Sequence, residues 1–406
     1  MPLVEPRILT INSGSSSIKF SLYRVADPME RLVHGKVDRI GLSDTKLTFS
    51  KAVGNRPASF PIAASDYSSA AQFLIGWLGE QGCLDSVSAV GHRIVHGMRH
   101  IAPEVVTPEL IDELRRISQA NPDHMPGAIQ LVEAISQAHP QLLQVACFDT
   151  AFHATMPRVA KLLPIPRHFD AQGIQRYGFH GLSCAYLMEE LVRLGDGAAT
   201  KGRVILAHLG NGASISAVRD GKSIDTSMGF TPTAGLPMSS RSGDLDPGLV
   251  GYLASTEQMT SMQFHRMVNH ESGLLGVSQI SSDLRDLLAV ENDDVRAAEA
   301  VALFCYQAKK WIGSFVAALG GLDTLVFAGG IGENAPLIRA RICESLSVLG
   351  IELSESHNAD SADVISASHS RAKVRVIRTD EELMIARTVQ RFGPEFTRAI
   401  GTAHEG

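Results

Sequence analysis

Two stretches of this chain follow the same plan, and that repetition limits the folds open to it. The apolar run Ile8-Leu-Thr-Ile11 enters a turn of Asn12, Ser13 and Gly14. Three serines follow (Ser15, Ser16, Ser17), and apolar alternation resumes at Ile18, Phe20 and Leu22. A third strand is predicted from Glu30 to Ile40, beyond the turn Ala26-Asp27-Pro28. Much later, Val204 to Leu209 enters the turn Gly210-Asn-Gly-Ala-Ser214, Ile215 to Val218 returns, and Ser223 to Ser227 makes a third strand after Arg219-Asp-Gly-Lys222. Apolar runs joined by Gly, Asn and Ser turns predict β-hairpins. The shared element order and first-turn chemistry predict a duplicated domain, each copy opening with a hairpin whose tip faces a shared cleft.

Between the hairpins the pattern alternates helix with strand. Ser68 to Leu78 is amphipathic, and Thr107-Pro-Glu supplies a capping hydroxyl, a first-turn proline and an early acid. A last helix is predicted from Glu381 to Phe392, after Arg378-Thr-Asp380. Ser88 to His96, Leu142 to Asp149 and Leu325 to Gly332 are apolar strands ending in polar or glycine residues. Such alternation predicts α/β layers, and 406 residues predict two domains.

The formal charge of −6 argues against nucleic acid or an anionic membrane as the main partner, because each needs a concentrated basic face. No apolar run approaches a membrane span, and Glu5 and Arg7 stand where the core of a signal peptide would begin. The five cysteines are scattered without a C-x-x-C pair, which predicts free thiols in a reducing compartment, the cytoplasm.

The turn after Ile11 is richer in donors than a hairpin requires. With Lys19 it reads either as a phosphate cradle or as a solvated turn. Gly329-Gly-Ile-Gly-Glu-Asn334 is a glycine-rich turn before a helix with Pro336 in its first turn. It fits a nucleotide phosphate or simple helix–strand packing. None of the glycine turns has the P-loop or dinucleotide spacing. Arg93, His180, His208 and Arg241 stand beside glycines or at strand ends, Arg241 within a long Gly/Pro/Ser-rich loop from Asp225 to Pro247. Cations set around a spreading negative charge are what phosphoryl transfer needs. Asp149 closes a strand, a position for a metal or acid/base carboxylate or for a helix cap. Asn12 and Glu381 are candidate partners of Mg²⁺, direct or through water.

Taken in order, the motifs Asn12-Ser-Gly-Ser-Ser-Ser-Ile-Lys-Phe20, Gly91-His-Arg-Ile-Val-His-Gly97, Phe148-Asp-Thr-Ala-Phe-His153, Arg176-Tyr-Gly-Phe-His-Gly181, His208-Leu-Gly-Asn-Gly-Ala-Ser214, Asp225-Thr-Ser-Met-Gly-Phe-Thr-Pro232, Arg241-Ser-Gly-Asp244, Gly329-Gly-Ile-Gly-Glu-Asn334 and Glu381-Glu-Leu-Met-Ile-Ala386 resemble the acetate/propionate/butyrate kinase (acetokinase) family along essentially the whole chain. The resemblance implies duplicated ribonuclease H-like domains of the actin–hexokinase–Hsp70 type, with mixed sheets flanked by helices and an active-site cleft between them. It implies domains at 1–150 and 151–384, with a helix at 385–406 packing back on the first.

The implied reaction is ATP + acetate ⇌ ADP + acetyl phosphate, by direct in-line transfer with Mg²⁺, or Mn²⁺ in its place. The partners implied are small molecules and a second copy of the chain in a homodimer. By similarity Arg93 and Arg241 clamp the acyl carboxylate and the phosphoryl group, His180 stabilises the transition state, and Asp149 is an essential carboxylate near the reacting oxygens. Asn12 and Glu381 match the Mg²⁺-associated positions and Lys19 the phosphate-side lysine. His208, Leu209, Gly210, Asn211 and Gly212, then Asp283, Leu284 and Arg285, then Gly330, Ile331, Gly332, Glu333 and Asn334 match the nucleotide-binding segments. Val95, Phe179 and Pro232 match a small pocket for the acetate methyl. The chain departs from the family at Gln119 and Ala120, where leucine and histidine are usual; His124 lies a turn away. It departs again at Leu236-Pro-Met-Ser-Ser-Arg241 and at Asp380. These departures bear on acyl-chain preference rather than on reaction type.

Overall fold

The computed structural model describes residues 5–392 and 396, apart from 15–16, 43, 52–55, 85–86 and 121. The chain divides into two compact units, one from the described parts of Met1–Ala151 and Asp380–Gly406, the other from Phe152–Thr379.

The first unit is built on strands β1 (Arg7–Ser13), β2 (Ser17–Arg24), β3 (Glu30–Asp38), β4 (Lys46–Lys51), β5 (Ala58–Pro61), β6 (Val87–Ile94), β7 (Glu104–Val105) and β8 (Leu143–Phe148), in the sheet order β5-β4-β3-β2-β1-β6-β8-β7. β1, β2 and β3 pair antiparallel, whereas β1, β6 and β8 run parallel. Ile18, Phe20 and Leu22 all point to one face, as the period of two requires. There they pack with Leu74 and Trp77 of the helix Tyr67–Glu80 and with Leu131 and Ile135 of the helix Met125–Ala138. The helix Pro108–Ile117 starts as its sequence predicts: Thr107 Oγ1 accepts from the Leu110 amide. The helix Glu381–Gln390 lies against β1 and β6. Gly91 is bare for it, since a Cβ there would lie 2.4 Å from Ile385 Cγ2. The rest of the helix expected to Phe392, and of that expected at 385–406, is not helical at 391–392 and lies outside the described residues at 393–395 and 397–406.

The second unit contains β9 (Arg203–Leu209), β10 (Ala213–Arg219), β11 (Lys222–Thr226), β12 (Thr324–Ala328) and β13 (Lys373–Val376), ordered β11-β10-β9-β12-β13. β9, β10 and β11 pair antiparallel and β9, β12 and β13 run parallel. This repeats the first unit's β3-β2-β1-β6-β8 strand for strand, so the duplication read from two hairpins extends to five strands. The helix Gly181–Arg193 packs Leu187 and Leu191 on Val204, Leu206 and Val326, and the helix Val295–Leu319 packs on β9 and β10. The fold is α/β, with two mixed sheets flanked by helices. No described helix is long and apolar enough to cross a membrane. All five cysteines are buried free thiols.

The structure corrects one element. Gly329–Asn334, expected as an open glycine turn, is a short helix. Its own side chains close it: Glu333 Oε1 accepts from the Gly329 amide (2.9 Å), and Asn334 Nδ2 donates to the Gly330 carbonyl (2.9 Å). The long loop after β11 is irregular but packed, with Leu236 and Met238 fully buried.

Candidate active site

In the first unit the parallel pairing of β1, β6 and β8 aligns three strand ends. Asn12 pairs in register with Arg93, and Asp149 follows β8, its amide donating to the Ile94 carbonyl. The side chains then connect in a row. Arg93 Nη2 donates to Asp149 Oδ2 (2.8 Å), and Arg93 Nη1 reaches Asn12 Oδ1 (3.4 Å) and the Ser13 carbonyl (3.3 Å). Asn12 Nδ2 donates to Glu381 Oε2 (2.9 Å) and Glu382 Oε1 (3.0 Å). Both glutamates sit in the first turn of a helix capped by Asp380, whose Oδ1 accepts from the Leu383 amide. Asp149 is completely buried.

Burial works against the Arg93 charge, but Asp149 and Glu381 outweigh it and hold its pKa above the ordinary arginine value. Burial raises the pKa of Glu382, opposed by the charge of Lys19 and reinforced by that of Glu381. Lys19 is exposed on β2, directly across from Asn12. Val95 is buried just after β6, and His124 stands at the N-cap of the helix Met125–Ala138. Among the described residues no group of three or more His, Cys, Asp or Glu is arranged to hold a metal. The oxygen donors at Asn12, Glu381 and Asp149 fit a hard cation that keeps most of its ligands as water and phosphate.

In the second unit His180 caps the helix Gly181–Arg193 in the left-handed region, φ 57°, an uncommon conformation for a residue other than glycine. The frame is visible. His153 Nε2 bonds the Phe179 carbonyl (3.0 Å) and its Nδ1 the Ser223 hydroxyl (2.9 Å). Arg176, at the head of the motif that carries His180, donates to the carbonyls of Thr226, Ser227 and Met228.

The His180 ring bonds Ser214 Oγ through Nδ1 (2.9 Å) and stacks on His208, with centroids 4.2 Å apart. His208 Nδ1 bonds Ser183 Oγ (2.8 Å), which bonds Thr379 Oγ1 (2.7 Å). Arg241 donates to the Pro232 carbonyl (3.3 Å). Its loop is pinned by amide bonds from Ser239 to Asn211 O and from Leu274 to Met238 O. His180 and Arg241 meet over Gly212: a Cβ there would lie 3.2 Å from His180 Nε2 and 3.6 Å from Arg241 Nη1.

The glycine segments also converge. A Cβ on Gly210 would lie 3.8 Å from the Gly330 amide nitrogen and 4.0 Å from His208 Nε2, and one on Gly329 (φ 75°) would lie 2.6 Å from the Leu209 carbonyl oxygen. Glu333 Oε1 also accepts from the Thr379 amide (3.1 Å), while Ile331 is half-buried and Gly332 buried. Phe179 and Pro232 are buried. Asp283 caps the helix Leu284–Val290 and takes the Arg285 guanidinium, which holds its carboxyl below the usual range; the buried Leu284 anchors the turn. Sequence reasoning missed Ser183, Ser214, His153 and Glu382. Ser214, His153 and Glu382 lie inside quoted motifs, which carried a signal, and Ser183 does not.

Comparison with known proteins agrees with this architecture. The sequence profile described as the Acetokinase family matches residues 7–387. An acetate kinase of Rhodopseudomonas palustris is 44% identical over 392 residues, 95% of this chain and 98% of that protein. A propionate kinase of Citrobacter rodentium is 41% identical over 404 residues, 98% and 99% of the two chains. The crystal structure of a propionate kinase from Francisella tularensis superposes with a TM-score of 0.87 at 36% identity, covering 94% of this chain and 98% of that one. Two sheets with one strand plan, and relatives that match from end to end, lead to one assignment: the chain belongs to the acetokinase family and is a phosphotransferase.

Proposed function

We propose that the enzyme is an acetate kinase, which reversibly moves the γ-phosphoryl group of ATP to acetate. An acetate oxygen attacks the γ-phosphorus, the bond from that phosphorus to the β–γ bridging oxygen breaks, and ADP leaves with the electron pair. The observation that carries this reading is the meeting of His180 and Arg241 over the side-chain-free Gly212, beside the glycine segments at Gly210 and Gly330. A phosphoryl group needs such a place, where donors are set in advance around developing negative charge.

In this reading the residues His208 to Gly212, Asp283 to Arg285 and Gly330 to Asn334 hold the nucleotide. Arg241 and Arg93 clamp the phosphoryl and acyl groups, His180 donates to an equatorial oxygen, and Lys19 meets phosphate. A carboxylate nucleophile, with an ordinary pKa of about 4, needs no base. Asp149, buried against Arg93, therefore acts by fixing and balancing that arginine. Asn12 and Glu381 would hold Mg²⁺ largely through its waters, and the ion, or Mn²⁺ in its place, would neutralise charge on the phosphates. Val95, Phe179 and Pro232 favour a short acyl chain. Propionate is the second candidate, supported by the propionate kinases among the relatives. A homodimer in the cytoplasm completes the reading.

The test is steady-state assay with acetate, propionate and butyrate, trapping the acyl phosphate with hydroxylamine. One methylene in a fitted pocket is worth about 1–3 kcal/mol, so acetate should lead in kcat/KM by roughly tenfold or more. A lead for propionate would move the assignment to propionate kinase, and no acyl phosphate from any acid would end it.

A further inference from the structure

We infer that Ser214 is a positioning residue for His180: its hydroxyl donates to Nδ1, so that the ring proton sits on Nε2, on the side of Gly212 and Arg241. This rests on the proposed role of His180 at the phosphoryl group.

The clamp comes from a single cross-strand pair. Ser214 on β10 stands directly opposite His208 on β9, so their side chains leave the same face of the sheet. One meets the edge of the His180 ring at 2.9 Å and the other covers its face at 4.2 Å between centroids. His208 is itself fixed by Ser183, in the first turn of the helix that His180 caps. Ring, strand pair and helix therefore close on one another, and the imidazole has no rotation left that keeps both contacts.

The direction of the Ser214 bond follows from proton counting. Ser214 is 1% exposed, and His180 Nδ1 is the side-chain hydrogen-bond partner of its hydroxyl among the described residues. A buried hydroxyl must place its proton somewhere. Placing it on Nδ1 makes that nitrogen the acceptor, and a neutral imidazole then carries its own proton on Nε2. With the opposite tautomer, Nδ1–H would donate to the serine oxygen, the buried serine proton would lose its imidazole acceptor, and Nε2 would turn a lone pair toward Gly212, repelling phosphoryl oxygens. The serine thus decides whether the ring attracts or repels the transferring group.

The experiment uses the full-length enzyme labelled with ¹⁵N-histidine, without substrate, and the His180 signal is assigned by its loss in His180→Asn. The neutral wild-type ring should show Nε2 protonated and Nδ1 as acceptor. In Ser214→Ala that preference should collapse to a mixture of tautomers. Loss of one oriented donor then predicts a fall in kcat of roughly 10²-fold, with both KM values within about twofold. Ser214→Thr, which keeps the hydroxyl, should recover most of both readouts. A wild-type ring protonated on Nδ1, or a folded Ser214→Ala enzyme with wild-type kcat, overturns the inference. The wild-type spectrum decides the tautomer even if the alanine variant does not fold. An Nε2-protonated ring in an enzyme that makes no acyl phosphate would refute the proposed reaction and leave the positioning intact.

Discussion

Arg93 and Asp149 form an ion pair of 2.8 Å between neighbouring parallel strands, with the carboxylate fully buried and the guanidinium nearly so. Removing one partner of a buried pair leaves the other charge without compensation, at a cost of about 3–5 kcal/mol. Asp149→Asn should lower stability toward that range and depress kcat. The double variant Arg93→Met/Asp149→Leu should recover much of the stability and none of the activity. Denaturant titration beside steady-state assay separates the two effects; a double variant no more stable than Asp149→Asn would count against the pair as the cause.

Arg241 Nη1 donates to the Pro232 carbonyl and reaches Met238 Sδ. Placed beside His180 over Gly212, it should act on rate before stability when truncated. Arg241→Ala is expected to lose roughly 10²–10³ in kcat with little change in thermal midpoint. Arg241→Lys should recover only part, because an ammonium lacks the planar fork. An Arg241→Ala enzyme with an unchanged acyl-phosphate rate would remove the proposed clamp.

The two glycines at the nucleotide loops should fail differently. Gly329 has φ 75°, and a Cβ there would lie 2.6 Å from the Leu209 carbonyl oxygen, so Gly329→Ala should destabilise the fold by roughly 1–3 kcal/mol. Gly212 has the nearest obstacle in a side chain, His180 Nε2 at 3.2 Å. Gly212→Ala should fold normally and lose activity, the methyl group occupying the place proposed for phosphate. Thermal melts and kcat on the two variants check the contrast.

His92 gives the pH dependence its sign. The ring is buried, with Nε2 2.7 Å from Gln144 Oε1. Burial pushes its pKa down to about 4, with the Gln144 bond opposing part of the shift. Between that value and the ordinary value of about 6.5 the unfolded chain binds the extra proton, so stability rises with pH across the window and is lost on acidification. The loss contributed by this residue is at most about 3 kcal/mol. Urea titrations from pH 7 to pH 4.5 should show a shallower slope for His92→Gln than for the wild type; equal slopes would assign the acid sensitivity elsewhere.

The hairpins, the strand ends carrying Arg93 and Asp149, and the helix beginning at Glu381 were legible in the sequence because each is a local matter of period, turn and cap. What escaped was set by pairing across strands. Nothing near Ser214 in the sequence says that it lies across from His208, and nothing near Glu382 says that Asn12 will bridge it to Glu381. Arg176, which heads the motif carrying His180, is likewise claimed from a distance, by three backbone carbonyls at the end of β11. The Gly329 segment read as a turn because glycine weakens helices. Glu333 and Asn334, bonding back to its first residues, outweigh that preference.

The first unit is assembled from two widely separated stretches of chain, and the second from one unbroken stretch between them. Synthesis runs in one direction, so Phe152–Thr379 is complete before Glu381 and the helix that brings Ile385 and Val389 to Gly91 have left the ribosome. Until then the face of β1 and β6 lacks its cover and Asn12 lacks both carboxylates. A nascent or prematurely ended chain therefore cannot assemble this row of charged groups, however well its central portion folds.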